Sequence, residues 1–141
     1  MNMLSYYFFA FTLERIIGSG PFAVLYIASL ALSDLSTIIK HKDHFWYNSL
    51  GASGAVSAVV FSYILFDPLT KFYLFFIPLP IPAVIFGVLY LFYSAYASKQ
   101  SGTINHDAHF YGAIAGIIIT IIFYPTVPFE FLREISSGRW F

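Results

Sequence analysis

Cysteine is absent from this 141-residue chain, which excludes disulfides and thiolate chemistry and leaves the redox compartment unread. Charge is scarce as well. Only 10% of the residues are charged, seven basic and seven acidic, and the formal net charge is zero. A soluble domain carries about 25% charged residues because its surface must be wetted. No basic run or stripe is present, which argues against nucleic acid as a partner. The opening residues, Met1 to Tyr7, lack the basic n-region and cleavage site of a signal peptide. No internal repeat or low-complexity stretch stands out. What the chain has instead is 59% hydrophobic and 21% aromatic residues. Such a chain is expected to face a lipid bilayer, and its length suits one domain over residues 1–141.

A membrane-spanning helix needs roughly 20 mostly apolar residues, or about 17 at the short end. Five stretches qualify or come close, at about residues 2–14, 22–39, 50–66, 83–97 and 107–124. Gly18-Ser19-Gly20-Pro21 is read as the first turn, and Lys40-His41-Lys42-Asp43-His44 closes the second segment. Asp67-Pro68 stops the third, because proline cannot continue the helical ladder. A loop rich in aromatics and prolines then runs to Pro82, and a polar tail follows Pro125. The runs are continuous rather than short and alternating, so helices are expected and a β-barrel is not. Tyr, Phe and Trp recur at segment ends, as an interfacial belt requires. The fold class is an all-α polytopic helix bundle.

Polar residues in lipid are costly and tend to mark function. Ser53 and Ser57 start the third segment, while Asn105, His106, Asp107 and His109 start the fifth. One spanning helix separates these two segments, so they run parallel and their N-terminal ends share a membrane face. Ser53 and His109 lie a few residues inside those ends, at a similar shallow depth. The first segment also runs parallel, which brings Asn2 to the same level. Asp34, near the end of the second segment, is read as an interfacial or packing residue.

The neighbours of these residues are small. Gly51, Ala52, Gly54, Ala55 and Ala58 thin the third helix, and Gly112 and Gly116 form a GxxxG face on the fifth. Small faces let membrane helices approach. His109 stands three residues before Gly112 on the same face, so the groove that joins the helices also aims His109 at Ser53. A serine hydroxyl becomes a nucleophile when a base within hydrogen-bond reach takes its proton, and histidine is the usual base. Unpaired N–H groups at the helix N-terminus, including that of Ser53, can hold an oxyanion, and Asn2 could add a side-chain donor. Asp107 points to another face, so a dyad is expected rather than a triad.

At these residues the sequence resembles the rhomboid family of intramembrane serine proteases. Gly51-Ala52-Ser53-Gly54 meets the family's GxSG motif, and residues Ala108 to Gly116 meet AHxxGxxxG in full. Asn2-Met3-Leu4, with Leu13-Glu14 further on, is similar to the family's second helix. The resemblance covers nearly the whole chain. It implies a six-helix core whose Ser–His dyad opens to water from the outer face and cleaves transmembrane or juxtamembrane segments of other membrane proteins. The loop before Pro82 would correspond to a mobile cap over the site. Family topology puts Arg15, Lys71, Arg133 and Arg139 inside and Lys40, Lys42 and Lys99 outside. The family core also has an earlier helix and a histidine three residues upstream of Met1; a start placed late, at an internal methionine, is the expected reason for their absence. Four residues after its serine the family often carries an aromatic that packs on the histidine. Here that position is Ser57, so the packing of His109 is expected to differ.

His41, His44 and His106 invite a metal site with His109, but zinc would also want a cysteine or carboxylate in ordered geometry, so solvated loop histidines are expected. Neither a metal nor another cofactor is implied. A non-catalytic rhomboid-like protein that binds client helices is the alternative to a protease, although both Ser53 and His109 are retained. A small transporter would want charges near the middle of its segments, and none is there. The chain is expected to be a multi-pass protein, in a bacterial plasma membrane.

Overall fold

Apolar runs punctuated by glycine and proline form six helices and a hairpin in the computed structural model, which describes residues 2–43, 52–74, 77–99 and 106–140. The order is α1 (Asn2–Ile17), α2 (Ser19–His41), α3 (Ser53–Phe66), β1 (Lys71–Leu74), β2 (Ile77–Pro82), α4 (Ala83–Ala97), α5 (His106–Phe123) and α6 (Val127–Ser136). The chain is thus mostly helical. Of the five expected spans, α2 over Ser19–Lys40 and α5 are long and apolar enough to cross a membrane, whereas α3 and α4 are shorter apolar helices.

Three expectations need correction. The first turn is narrower than Gly18-Ser19-Gly20-Pro21: α1 continues past Glu14 to Ile17, and α2 starts at Ser19. Gly18 alone makes the break, with φ of 85° and ψ of 158°, a conformation open essentially to glycine. Its N–H still bonds the Glu14 carbonyl, and its own carbonyl accepts from Phe22. Second, the stretch before Pro82 is an antiparallel hairpin, so the fold is not purely α. Prolines 78, 80 and 82 alternate, which puts their missing donors on one edge of β2 and leaves the other edge free to pair with β1. Third, the tail after Pro125 contains α6. Pro128 falls in its first turn, where a backbone N–H has no partner to lose. Val127 is buried and Phe131 packs on the core, one turn apart.

The closest helix pair is α3 with α5. A Cβ placed on Gly112 would stand 2.6 Å from the Gly54 carbonyl carbon, and one on Gly116 would stand 2.6 Å from the Ala58 Cα. One turn further on, the buried Ser62 and Thr120 hydroxyls bond at 2.6 Å. The pairs 54/112, 58/116 and 62/120 advance by four on both helices, so α3 and α5 run parallel in constant register. Buried residues from Gly54 through Ser62 make α3 the central helix of the bundle.

The bundle is polar-in and apolar-out at α2. Ser29, Ser33 and Thr37 face inward at 0, 1 and 4% exposure, while Ile27 and Ile38 face outward at 66 and 64%. Water would drive the opposite arrangement, whereas lipid is as apolar as isoleucine and leaves small-residue packing to hold helices together. Val88, Leu89 and Phe92 on α4 and Ile118 and Ile122 on α5 extend the outward apolar surface.

The α3–α5 contact generates a stability prediction. Gly112→Ala forces a methyl group into backbone and should destabilise the protein by about 1–3 kcal/mol. Gly20→Ala meets nothing within 4 Å and should be neutral or stabilising by up to about 1 kcal/mol. Reversible unfolding of both variants in mixed detergent micelles checks the contrast.

Candidate active site

Ser53 is the first residue of α3, later than the expected start near residue 50. Val56 donates to the Ala52 carbonyl at 2.9 Å, so the N–H groups of Ser53, Gly54 and Ala55 precede the first helical bond and point out of the helix end. The adjoining Gly54 must be glycine. Its missing Cβ would lie 3.0 Å from the Ala108 carbonyl oxygen and would run into the Ser33 side chain of α2. Three helices therefore meet immediately beside Ser53, and His109 follows Ala108 directly.

From the level of Ser33, α2 continues to His41, about 12 Å of helix at 1.5 Å per residue. From the level of Gly112, α5 reaches back to His106, about 9 Å. Both helices thus extend past the start of α3. Near their ends the Lys40 ammonium donates to Asp107 Oδ2 at 2.5 Å and to the Ser98 carbonyl at 3.2 Å, tying together the ends of α2, α4 and α5. Asp107 is thereby engaged by Lys40.

His109 is half-buried. Its ring stacks on Tyr90 of α4, with centroids 6.2 Å apart and planes at 26°. His106 approaches edge-on at 6.0 Å. The Tyr90 hydroxyl lies 3.1 Å from the Ser57 hydroxyl, and Ser57 shares a helical face with Ser53. Ser53 and His109 are thus brought to the same end of one parallel helix pair, linked through Ser57 and Tyr90. Among the described residues no hydrogen bond joins the Ser53 hydroxyl to the His109 ring. Because α1 runs parallel to α3, Asn2 begins at this end of the bundle. The Asn2 side chain, Gly51, Asn105 and His44 lie outside the described residues, as does the side chain of His41.

The cap expectation is corrected by this geometry. α4 runs antiparallel to α3: Tyr90 meets Ser57, whereas Gly87 packs near Phe61 and Ile64. The hairpin is tethered at the opposite end, where Ala83 and Val84 donate to the carbonyls of Thr70 and Pro68. The loop before Pro82 is therefore remote from Ser53. Of the seven cations, Arg15, Lys71, Arg133 and Arg139 fall toward the hairpin end and Lys40, Lys42 and Lys99 toward the Ser53 end.

Sequence reading did not find Tyr90. The signal was present: on α4 the inward positions Ala83, Gly87, Ser94 and Ala97 are small, and Tyr90 is the one large residue in their helical row. The Lys40–Asp107 pair was also missed, since nothing local links residues so far apart in the chain. Lys40 is 46% exposed, so this pair contributes little. Lys40→Ala and Asp107→Asn should each cost less than about 1 kcal/mol, and the double variant no more than either. A double-mutant cycle on unfolding in micelles measures this.

The rhomboid domain family matches residues 1–126. The chain is similar to "Rhomboid protein 1, mitochondrial" of Saccharomyces cerevisiae, 30% identical over an alignment that takes in 100% of this chain and 42% of that protein. The chain therefore spans about two fifths of the length of the curated relative it matches. No solved structure gives a significant match. The yeast relative is mitochondrial, so a bacterial plasma membrane, expected above, gains no support. The parallel α3–α5 pair, Ser53, Gly54 and the AHxxGxxxG residues lying along it, and the match over most of the chain lead to one conclusion: this protein belongs to the membrane-embedded rhomboid family.

Proposed function

We propose that the chain is an intramembrane serine endopeptidase that cleaves transmembrane or juxtamembrane segments of membrane proteins, and that residues 1–141 form a single rhomboid-like unit. One observation carries the reading. The parallel register of α3 and α5 sets Ser53 and His109 at one end of the helix pair, beside the backbone N–H groups that begin α3.

In this reading His109 takes the Ser53 hydroxyl proton as the serine oxygen attacks a peptide carbonyl. The resulting oxyanion is held by the Ser53 N–H and by Asn2, whose place at the start of α1 suits the role. His109 returns the proton to the leaving amine, and water then hydrolyses the acyl-enzyme by the same route in reverse. The absence of a Ser53–His109 hydrogen bond is compatible with this, because such bonds commonly tighten only in the substrate complex.

Cleavage of labelled single-span peptides reconstituted with the protein in liposomes tests the proposal. Ser53→Ala should lower the rate by at least about 10³-fold, and His109→Ala by a comparable factor. Undiminished cleavage by Ser53→Ala contradicts the assignment. A wild-type protein that binds such peptides without cleaving them favours the client-binding reading.

A further inference from the structure

A general-base histidine needs its ring plane held, and the usual device is a carboxylate on the far ring nitrogen. Here the nearest carboxylate in sequence, Asp107, is committed to Lys40. Two aromatic rings flank the His109 ring: Tyr90 is offset-stacked with it, centroids 6.2 Å apart and planes at 26°, and His106 meets it in a T-shaped contact at 6.0 Å. Tyr90 is itself fixed from three directions. Phe61 of α3 packs at 5.7 Å, Phe86 one turn back on α4 packs at 5.9 Å, and the Ser57 hydroxyl bonds the phenol. Ser57 sits one turn after Ser53, on the same helix face. The bond between Ser57 and Tyr90 thus ties the ring beneath His109 to the helix that presents Ser53.

We infer that Tyr90 is a positioning residue for His109, and that Ser57 anchors Tyr90 so that the imidazole plane is set relative to Ser53. The inference rests on the protease reading in so far as positioning serves catalysis; the stack itself does not depend on it. The arrangement divides two tasks between two residues. Tyr90 supplies the flat surface from a neighbouring helix, and Ser57 supplies its registration to α3. This arrangement also accounts for the conjunction, on α4, of one large polar aromatic with an otherwise small inward row. A packing residue would need neither the phenol nor its partner.

Two readouts test this on the full chain in micelles. The first is the rate at which a fluorophosphonate probe labels Ser53, with Ser53→Ala as the blank. Tyr90→Leu, which removes the ring, should slow labelling by roughly tenfold. Tyr90→Phe keeps the ring and should recover most of that loss, remaining about two- to fivefold below wild type. Ser57→Ala should match Tyr90→Phe, and the double Ser57→Ala/Tyr90→Phe should be no slower than either, because both remove one bond. The second readout is the ring-proton resonances of His109, assigned among the four histidines by His109→Gln. Tyr90→Leu should shift them as the neighbouring ring current is lost, and Tyr90→Phe should leave them near their wild-type positions. Wild-type labelling rates in both Tyr90→Leu and Ser57→Ala would overturn the inference, as would His109 resonances unmoved by Tyr90→Leu. Additive losses in the double variant would overturn the anchoring role of Ser57. If the wild-type protein takes no label at Ser53, the protease reading fails instead, and the resonances alone then decide whether Tyr90 holds the ring.

Discussion

The near-contact of two backbones, α3 against α5 at Gly54/Gly112 and Ala58/Gly116, is the constraint on which the rest of the molecule depends. Where a Cβ would come within about van der Waals overlap of a neighbouring carbonyl, no side chain is tolerated, and the helices lock in one register. That register decides the chemistry. Ser53 stands one residue before the first contact on α3, and His109 stands three before its counterpart on α5. A slip of one helical turn, about 5.4 Å, would separate them in depth. The Ser62–Thr120 bond adds a polar check on the same alignment, at a place where an unpaired hydroxyl would be costly.

Around this pair the neighbouring helices differ in length: α3 has 14 residues and α2 has 23, so α2 extends past the start of α3. The inverted polarity of α2 supports the packing, since Ser33 is small enough to let α2 reach Gly54. Hydroxyls inside and isoleucines outside are what a bilayer selects.

Much of this was legible in the sequence because the decisive signals are local and periodic. The apolar runs gave four helices nearly to their ends, and Gly112 and Gly116 announced a close approach before any partner was known. Their partner could be inferred because parallel helices one span apart must share a face. The rest was hidden for physical reasons. The α1–α2 break looked like a four-residue turn because Ser, Gly and Pro all favour turns, yet they also start helices, and Gly18 alone sufficed. The hairpin was masked by prolines, whose alternation is a strand pattern only when one edge goes unpaired. α6 was masked by Pro125 and Pro128, which stop one helix and start the next. The hairpin's distance from Ser53 follows from the same parity of spans that aligned Ser53 with His109, so placing a cap there contradicted the topology itself. Tyr90 could not be paired with His109 without knowing how α4 is rotated.

Proximity of Ser53 and His109 is the claim most directly open to measurement, and the lack of cysteine makes it clean. In a Ser53→Cys/His109→Cys variant, a short bifunctional thiol reagent should form an intramolecular cross-link detectable by mass spectrometry of the digest. A Ser53→Cys/Ile122→Cys variant, with its second thiol at the far end of α5, should form none. Cross-linking of the second pair, or failure of the first while each single cysteine is reactive, would contradict the parallel register and the site built on it.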